Sequence, residues 1–281
     1  MIMTKVDQSN NSREFEFTDK NFQFIVELVN QQSGFVLAPN KKSMVYSRLA
    51  RRLRSLGLAN FDQYCDFLSS SAAVDEIENF MNSITTNLTS FFREKHHFDH
   101  LKSHLNLIKN KPRLRIWSTA CSTGQEPYSI AAVLAEALGN TKHKDAKILA
   151  TDIDTKVLAT AQKGTYDVDQ ISKIPAEYQK LLVSGSPKDS LDFTVNQKIK
   201  DLIKFNHLNL LHDWPISGKF DVVFCRNVVI YFDKETQNML FNKIADHLED
   251  DGILYIGHSE NLYEVGERFK LVGKTAYQRI A

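Results

Sequence analysis

No stretch of this 281-residue chain approaches the run of about 20 apolar residues that a membrane-spanning helix requires. The opening residues, MIMTKVDQSNNSREF, hold no apolar core of signal-peptide length. Cysteine is scarce: Cys65, Cys121 and Cys225 lie far apart, with no CxxC pair, so neither a zinc site nor a disulfide framework is expected. They read as small buried hydrophobes in a reducing compartment. Net charge is only +1, so no global field draws the chain to nucleic acid or to a membrane surface. A soluble, cytoplasmic protein is expected. Hydrophobic residues make up 42% of the chain, enough for a real core and too many for a disordered one.

Glycine is sparse where a nucleotide-binding chain would concentrate it. The segment RIWSTACSTGQEPYSIAAVL (115–134) runs from apolar residues through small ones into a helix-like pattern, yet its turn contains Gly124 alone. A dinucleotide pyrophosphate needs a glycine-rich turn feeding a helix N-terminus. Here Glu126 follows two residues after the glycine. A carboxylate at that place repels pyrophosphate and attracts an ammonium group. Gly124 itself is expected to let backbone approach the ligand.

The rest of the chain falls into two parts. From Phe15 to Ile84 every signal is helical. Thr18 caps a first helix with Phe22, Ile25, Val26 and Val29 on one face, ended by Gly34. Pro39-Asn40 opens a second, with Val45, Leu49, Leu53 and Leu56 before Gly57. Asn60 and Gln63 form a capping box for a third, and Val74 to Ile84 makes a fourth. After residue 110, strand-like runs at 114–117, 147–151, 201–206, 220–225 and 252–256 alternate with helix-like stretches at 125–138, 154–162 and 233–248. That alternation predicts a parallel sheet covered on both faces. TAYQRIA at the C-terminus reads as a last strand returning antiparallel after a loop and short helix. The gap between 163 and 200 is too long for a plain connection, and its turn-plus-strand pattern places a small β insertion at about 164–203. The expected organisation is therefore an all-α domain at 14–86 and an α/β domain at 87–281.

In an open parallel sheet, ligands bind beyond the carboxyl ends of the strands. Four such turns carry polar or ligand-facing residues: Glu126 after the first strand, Asp152 after the second, Asn209-Leu210 after the third, and Arg226-Asn227 after the fourth. Asp152 can accept both hydroxyls of a ribose. This set suits S-adenosylmethionine better than a dinucleotide.

TTNLTSFFREKHHF (85–98), STACSTGQEPYSIA (118–131), ATDIDTKVLATAQKGTY (150–166), NLL (209–211), FDVVFCRNVVIYFD (220–233) and GHSENL (257–262) resemble the chemotaxis receptor methyltransferases of the CheR family. The likeness runs from about residue 15 to the end and is densest in the catalytic part. It implies a Rossmann-like, S-adenosylmethionine-dependent methyltransferase domain with a small antiparallel β insertion, preceded by an all-α receptor-docking domain. It implies transfer of methyl groups to glutamate side chains on the helical cytoplasmic region of chemoreceptors, giving glutamyl methyl esters and S-adenosylhomocysteine in chemotactic adaptation. Asn87, Thr89 and Arg93 would enter the cofactor site, Glu126 would hold the methionine ammonium, and Asp152 the ribose. Asn209 and Leu210 would flank the adenine, Arg226 and Asn227 would line the pocket, and Arg93 and Tyr231 would lie near the reacting methyl. The resemblance carries no metal, no nucleic acid, and contact with the membrane only through the receptor; a monomer is expected.

The chemistry agrees. A glutamate carboxylate, with an ordinary pKa of about 4.3, is already ionised at neutral pH and needs no general base. RNVVIYF lacks the paired prolines of amino-group DNA methyltransferases, and the His96-His97 pair has no further metal ligand beside it in sequence. A basic run, KKSMVYSRLARRLR (41–54), places Lys41, Arg48, Arg51 and Arg52 on one helical flank, an expected docking surface for an acidic receptor helix. The loop VSGSPKDS departs from the glycine-richer pattern of family members that grip a receptor C-terminal pentapeptide, and weak or absent peptide binding is expected there. Methylation of another substrate and a non-catalytic, cofactor-binding adaptor remain the alternative readings, with a dehydrogenase third.

Overall fold

The computed structural model describes residues 13–139, 145–185, 190–262 and 266–281. The chain forms two compact units. One contains residues up to 31 together with 37–84; the other contains 32–36 and 85–281.

The first unit is helical: α1 (Asp19–Ser33), α2 (Lys42–Leu56), α3 (Phe61–Leu68) and α4 (Val74–Ile84). Its helix starts follow local chemistry. Thr18 Oγ1 accepts from the Asn21 N–H while Asn21 Oδ1 accepts from the Thr18 N–H, closing the first turn of α1. Asn60 accepts from the Gln63 N–H at the head of α3. A single 3₁₀ turn at Pro39–Lys41 leads into α2, and Gly57, at φ +67°, ends it in the left-handed region that glycine adopts without a Cβ penalty. Val45, Leu49 and Leu53 are fully buried on one stripe of α2, each side chain contributing about 1.5–3 kcal/mol.

The basic flank of α2 differs from expectation. Arg52 makes a two-pronged pair with Glu76 of α4, which is itself buried, and Tyr64 Oη donates to the same carboxylate at 2.8 Å. Arg48 donates to the carbonyl of Ile84, satisfying the open C-terminal end of α4. These two cations hold the helical unit together and are not a free docking face. Lys41 and Arg51 are the exposed members of the expected flank.

The second unit follows the order α5 (His96–Ile108), β1 (Arg113–Ser118), α6 (Gln125–Leu138), β2 (Asp145–Asp152), α7 (Thr155–Lys163), β3 (Thr165–Asp167), α8 (Ala176–Leu182), β4 (Val183–Ser184), β5 (Asp192–Val195), α9 (Gln197–Lys200), β6 (Ile203–His207), β7 (Phe220–Cys225), α10 (Lys234–His247), β8 (Leu248–Ile256), β9 (Phe269–Gly273) and β10 (Ala276–Arg279). The main sheet has the order β6-β2-β1-β7-β8-β10-β9. Its first five strands are parallel; β10 is antiparallel to β8 and to β9. Strand residues alternate between two apolar layers. Ile116, Ile148, Val222, Phe224 and Tyr255 join a core with α5 and α6, while Trp117, Val223, Cys225, Leu254 and Ile256 join one with Leu240, Phe241 and Ile244 of α10. The three cysteines are buried thiols.

Between α7 and β6 lies the insertion, a three-stranded antiparallel sheet of order β3-β5-β4. Gly185, at φ +75°, follows β4; Pro187, on which the expectation about peptide binding partly rests, falls outside the described residues. Two elements depart from the sequence reading. α5 was not expected, because four histidines and a lysine surround the apolar spacing of Phe98, Leu101 and Leu105. β9 occupies part of the span read as loop and short helix, its FKLVG sequence being too short and exposed to signal a strand.

Candidate active site

β1 is the switch point of the sheet: β2 follows it on one side and β7 lies on the other. A cavity opens there, where ligands of open parallel sheets bind. Asn87, Thr89, Arg93, Glu126, Asp152, Asn209, Leu210, Arg226, Asn227 and Tyr231 all line it. The structure thus brings together around one cavity the ten residues expected to be catalytic or cofactor-binding.

Gly124 does not line it. Its φ of +99° needs glycine, and a Cβ there would meet Tyr166 Oη at 2.7 Å and Ala161 Cβ at 2.9 Å. The residue lets the head of α6 pack against α7 and Tyr166 rather than letting backbone approach a ligand. Thr119, Ala120 and Ser122, the last in the left-handed region at φ +49°, are the turn residues that reach the cavity.

Two carboxylates define the polar wall. Glu126 stands in the first turn of α6, where its Oε1 accepts from Ser118 Oγ at 2.8 Å and its Oε2 from Arg226 Nη1 at 2.8 Å. Burial raises its pKa and the Arg226 guanidinium works against that rise. Asp152 ends β2. Its Oδ2 accepts from the Ser122 N–H at 2.8 Å and its Oδ1 from the Asp154 N–H at 2.9 Å. Burial pushes Asp152 up to about 6, against the pull of those N–H groups. Each oxygen uses one lone-pair site on the backbone, so capacity remains for two further donors.

Arg226 is the hub. Its side chain is only 1% exposed. Nη1 binds Glu126, Nη2 donates to the Arg93 carbonyl at 2.6 Å, and Nη2 lies 3.3 Å from Glu94 Oε2. Burial works to raise Glu94, but Arg226 and the neighbouring His258, His97 and Asn227 outweigh it and hold the carboxyl down to about 2. A buried guanidinium between two carboxylates is costly to desolvate and costly to break, since removing one partner leaves an uncompensated charge.

The segment from Thr85 to Glu94 forms the next wall. Asp154 uses Oδ1 to cap α7 and Oδ2 to accept from Thr85 Oγ1 at 2.8 Å and Asn87 Nδ2 at 2.9 Å. The Asn87 amide nitrogen is therefore committed to Asp154 and Thr85. Arg93 Nη1 donates to the Leu88 carbonyl at 2.7 Å. Asn209 is similarly engaged: Nδ2 donates to the Gln32 carbonyl and Oδ1 accepts from the Leu211 N–H. Its side chain shapes the turn, and Leu210 supplies apolar surface beside it.

A second strap, residues 32–36, completes the cavity and was expected in the helical domain. The Val36 N–H donates to the Tyr231 carbonyl at 2.7 Å, and the Phe35 ring lies 5.2 Å from that of Tyr231 and 5.4 Å from that of Phe232. Gly34, at φ +71°, sits so close that a Cβ would come within 2.1 Å of Leu211 Cδ1. These tertiary contacts draw the strap to the α/β unit. Nothing in the local sequence signals them, so Ser33 and Phe35 were missed as cavity residues. Asp154 and Glu94 stand inside the motifs ATDIDTK and FFREKHHF, where their neighbours drew attention.

The His96-His97 pair, read as having no further ligand beside it in sequence, is joined by Glu94 two residues earlier, their potential ligand atoms within 4.8 Å of one another, the one such group among the described residues. His97 is held near pKa 3 by burial, with Arg226 adding to the effect, and its Nε2 lies 3.1 Å from the Lys274 carbonyl and 2.8 Å from Thr275 Oγ1. A divalent ion there would have to share Glu94 with the buried guanidinium of Arg226, so the cluster reads as part of the Arg226 network.

The donor set fits S-adenosylmethionine. A carboxylate occupies the helix head where a pyrophosphate site would present only N–H groups, and a second carboxylate retains two acceptor sites toward the cavity. Comparison with known proteins agrees with the geometry. Residues 20–85 match the family model described as CheR methyltransferase, all-alpha domain, and residues 87–278 match CheR methyltransferase, SAM binding domain. A probable chemotaxis protein methyltransferase of Rhizobium etli is 43% identical over 258 residues, spanning 89% of this chain and 96% of the relative. The chemotaxis protein methyltransferase of Escherichia coli is 43% identical over 263 residues, 92% of this chain and 91% of the relative. Chemotaxis protein methyltransferase 2 of Pseudomonas aeruginosa is 42% identical over 270 residues, 95% of each chain. No helix among the described residues is long and apolar enough to cross a membrane. A cavity with carboxylates and no phosphate loop, both family models and full-length relatives lead to one assignment: the chain belongs to the CheR family of S-adenosylmethionine-dependent chemotaxis methyltransferases.

Proposed function

We propose that the enzyme methylates glutamate side-chain carboxylates on the helical cytoplasmic region of chemoreceptors, giving glutamyl methyl esters and serving chemotactic adaptation. The observation that carries this reading is a cavity wall that carries Arg93 and Tyr231, a guanidinium and a phenol able to orient a carboxylate. The two carboxylates that line it among the described residues, Glu126 and Asp152, are anchored, one by Ser118 and Arg226 and the other by backbone N–H groups, and on this reading their remaining acceptor sites serve the cofactor. An amine or hydroxyl acceptor would have to lose a proton; a carboxylate arrives ionised. The bound cofactor supplies an electrophilic methyl on a sulfonium, and the protein's part is alignment and exclusion of water.

The roles follow from charge and position. Glu126, fixed by Ser118 and Arg226, holds the methionine ammonium. Asp152 takes the two ribose hydroxyls on its remaining acceptor sites. Leu210, beside the turn shaped by Asn209, gives an apolar surface to the adenine, and Asn87, Thr89 and Asn227 close the polar rim. Arg93 and Tyr231 orient the incoming carboxylate: a guanidinium and a phenol can guide it by hydrogen bonds without supplying or removing a proton. Lys41 and Arg51 on α2 contribute to docking on an acidic receptor helix.

The test is transfer of label from methyl-labelled S-adenosylmethionine to receptor-containing membranes. Label on the receptor that is released as methanol by mild alkali, at glutamate-containing peptides, supports the reading. Alkali-stable label, or transfer to nucleic acid or small molecules in place of receptor, overturns it.

A further inference from the structure

Glu260 has no part in the transfer just described, yet it is a buried carboxylate, 6% exposed, bound almost wholly to backbone. β8 ends at Ile256, and the chain turns back at once, the Glu260 N–H donating to the Gly257 carbonyl at 3.0 Å. That turn aims the Glu260 side chain at the segment following Arg226. Oε2 accepts from the Asn227 N–H at 3.0 Å and from the Gly257 N–H; Oε1 accepts from the Val229 N–H at 3.1 Å.

Three further features fit this clamp. Asn227 is held at φ +56°, a left-handed conformation that costs a non-glycine residue about 1 kcal/mol and persists only where its surroundings impose it. Gly257 leaves room for it: a Cβ there would lie 2.5 Å from Asn227 Nδ2 and 2.8 Å from Glu260 Oε2. The carbonyls of the same turn are held from the other side, Gln237 Nε2 donating to both Val229 and Phe232 at 2.9 Å.

The clamped residues, 227–229, sit between Arg226 and Tyr231. Arg226 has independent anchors in Glu126 and the Arg93 carbonyl, and Val36 holds the Tyr231 carbonyl, whereas the backbone N–H groups of Asn227 and Val229, which lead into Tyr231, are held by Glu260. We propose that Glu260 is a positioning residue for methyl transfer, acting through the 227–231 turn to hold Tyr231 on the cavity wall. This rests on the reading that Tyr231 assists the transfer.

Glu260→Gln places an NH₂ where an oxygen now accepts from backbone N–H groups, so donor faces donor. The expected result is a fall in kcat on the order of 10- to 100-fold, the cost of misplacing an orienting group, with the affinity for S-adenosylhomocysteine, measured by calorimetry, kept within about threefold because Glu126 and Arg226 keep their own bond. The decisive measurement is the cycle with Tyr231→Phe in single-turnover methylation. If Glu260 acts through Tyr231, E260Q adds little once Tyr231 is already changed. Equal losses from E260Q in both backgrounds overturn the proposal while leaving the role of Tyr231 intact. Wild-type rates in Tyr231→Phe alone overturn both. Should E260Q fail to fold, Glu260→Asp keeps the charge but is one methylene too short to span the Asn227 and Val229 N–H groups, and the same cycle applies.

Discussion

Charged residues serve opposite purposes in the two units. On α2, the cations drawn from a conspicuous basic run turn inward: Arg52 neutralises buried Glu76, and Arg48 satisfies the end of α4. At the switch point of the sheet, Glu126 and Asp152 are also bonded to neighbours, yet each keeps acceptor capacity facing the cavity. A side chain whose bonding capacity is used up inside its own unit is structural. One that is held in place with capacity to spare is prepared for a ligand. The count of charges in a sequence run does not separate the two; the remaining lone pairs and N–H groups do.

The comparison can be broken most forcefully on α2. Arg52→Ala leaves the Glu76 carboxylate buried without its cation, and about 3–5 kcal/mol of stability should be lost from the helical unit. Urea unfolding followed by circular dichroism measures this. A loss below 1 kcal/mol would mean that Glu76 finds water and that Arg52 is a surface charge after all.

Asp152 offers a sharper test on the other side. Its pKa near 6 stands above the ordinary carboxylate value because burial disfavours the charge. In the free protein, therefore, Asp152 contributes least to stability once pH has risen through about 6, where it must ionise in place. Ligand binding runs the other way, since ribose hydroxyls donate best to the ionised form. Affinity for S-adenosylhomocysteine should fall as pH drops below about 6, approaching tenfold per unit, and Asp152→Asn should flatten that dependence. Isothermal titration between pH 5 and 8 gives the curve. A flat curve for the wild-type protein would assign the ribose to another group.

The smallest effect belongs to the exposed remainder of the basic flank. Lys41→Glu with Arg51→Glu should change stability by no more than about 0.5 kcal/mol and slow receptor methylation several-fold. The deficit should shrink as added salt screens exposed charges over about 8–10 Å. A deficit that ignores salt would argue against electrostatic docking by these two residues.

Much of this was legible in the sequence because its causes are local. The ranges read for the fourth helix and for the helix after the first strand coincide with α4 and α6, whose lengths follow from apolar spacing and punctuation within a few residues. The cavity residues were legible because strand ends in a parallel sheet converge, so Asp152, Asn209 and Arg226 needed only the right strand assignment. What stayed hidden depends on distant partners. Arg52 meets Glu76 across 24 residues, Phe35 meets Tyr231 through a strap that looked like a helix terminus, and Gly124 owes its place to Tyr166 and Ala161 rather than to a ligand. β9 pairs only with β10 at the sheet edge, and its exposed sequence gave no alternation to read.

The most direct test of the central claim is calorimetric titration of S-adenosylhomocysteine into the wild-type protein and Asp152→Ala at pH 7.5. Two charge-assisted hydrogen bonds, each contributing about 1.5–3 kcal/mol, should disappear, weakening binding by at least about 100-fold with the thermal transition retained. Equal affinity in the two proteins would contradict the account, because the carboxylate assigned to the ribose would then have no ligand to hold.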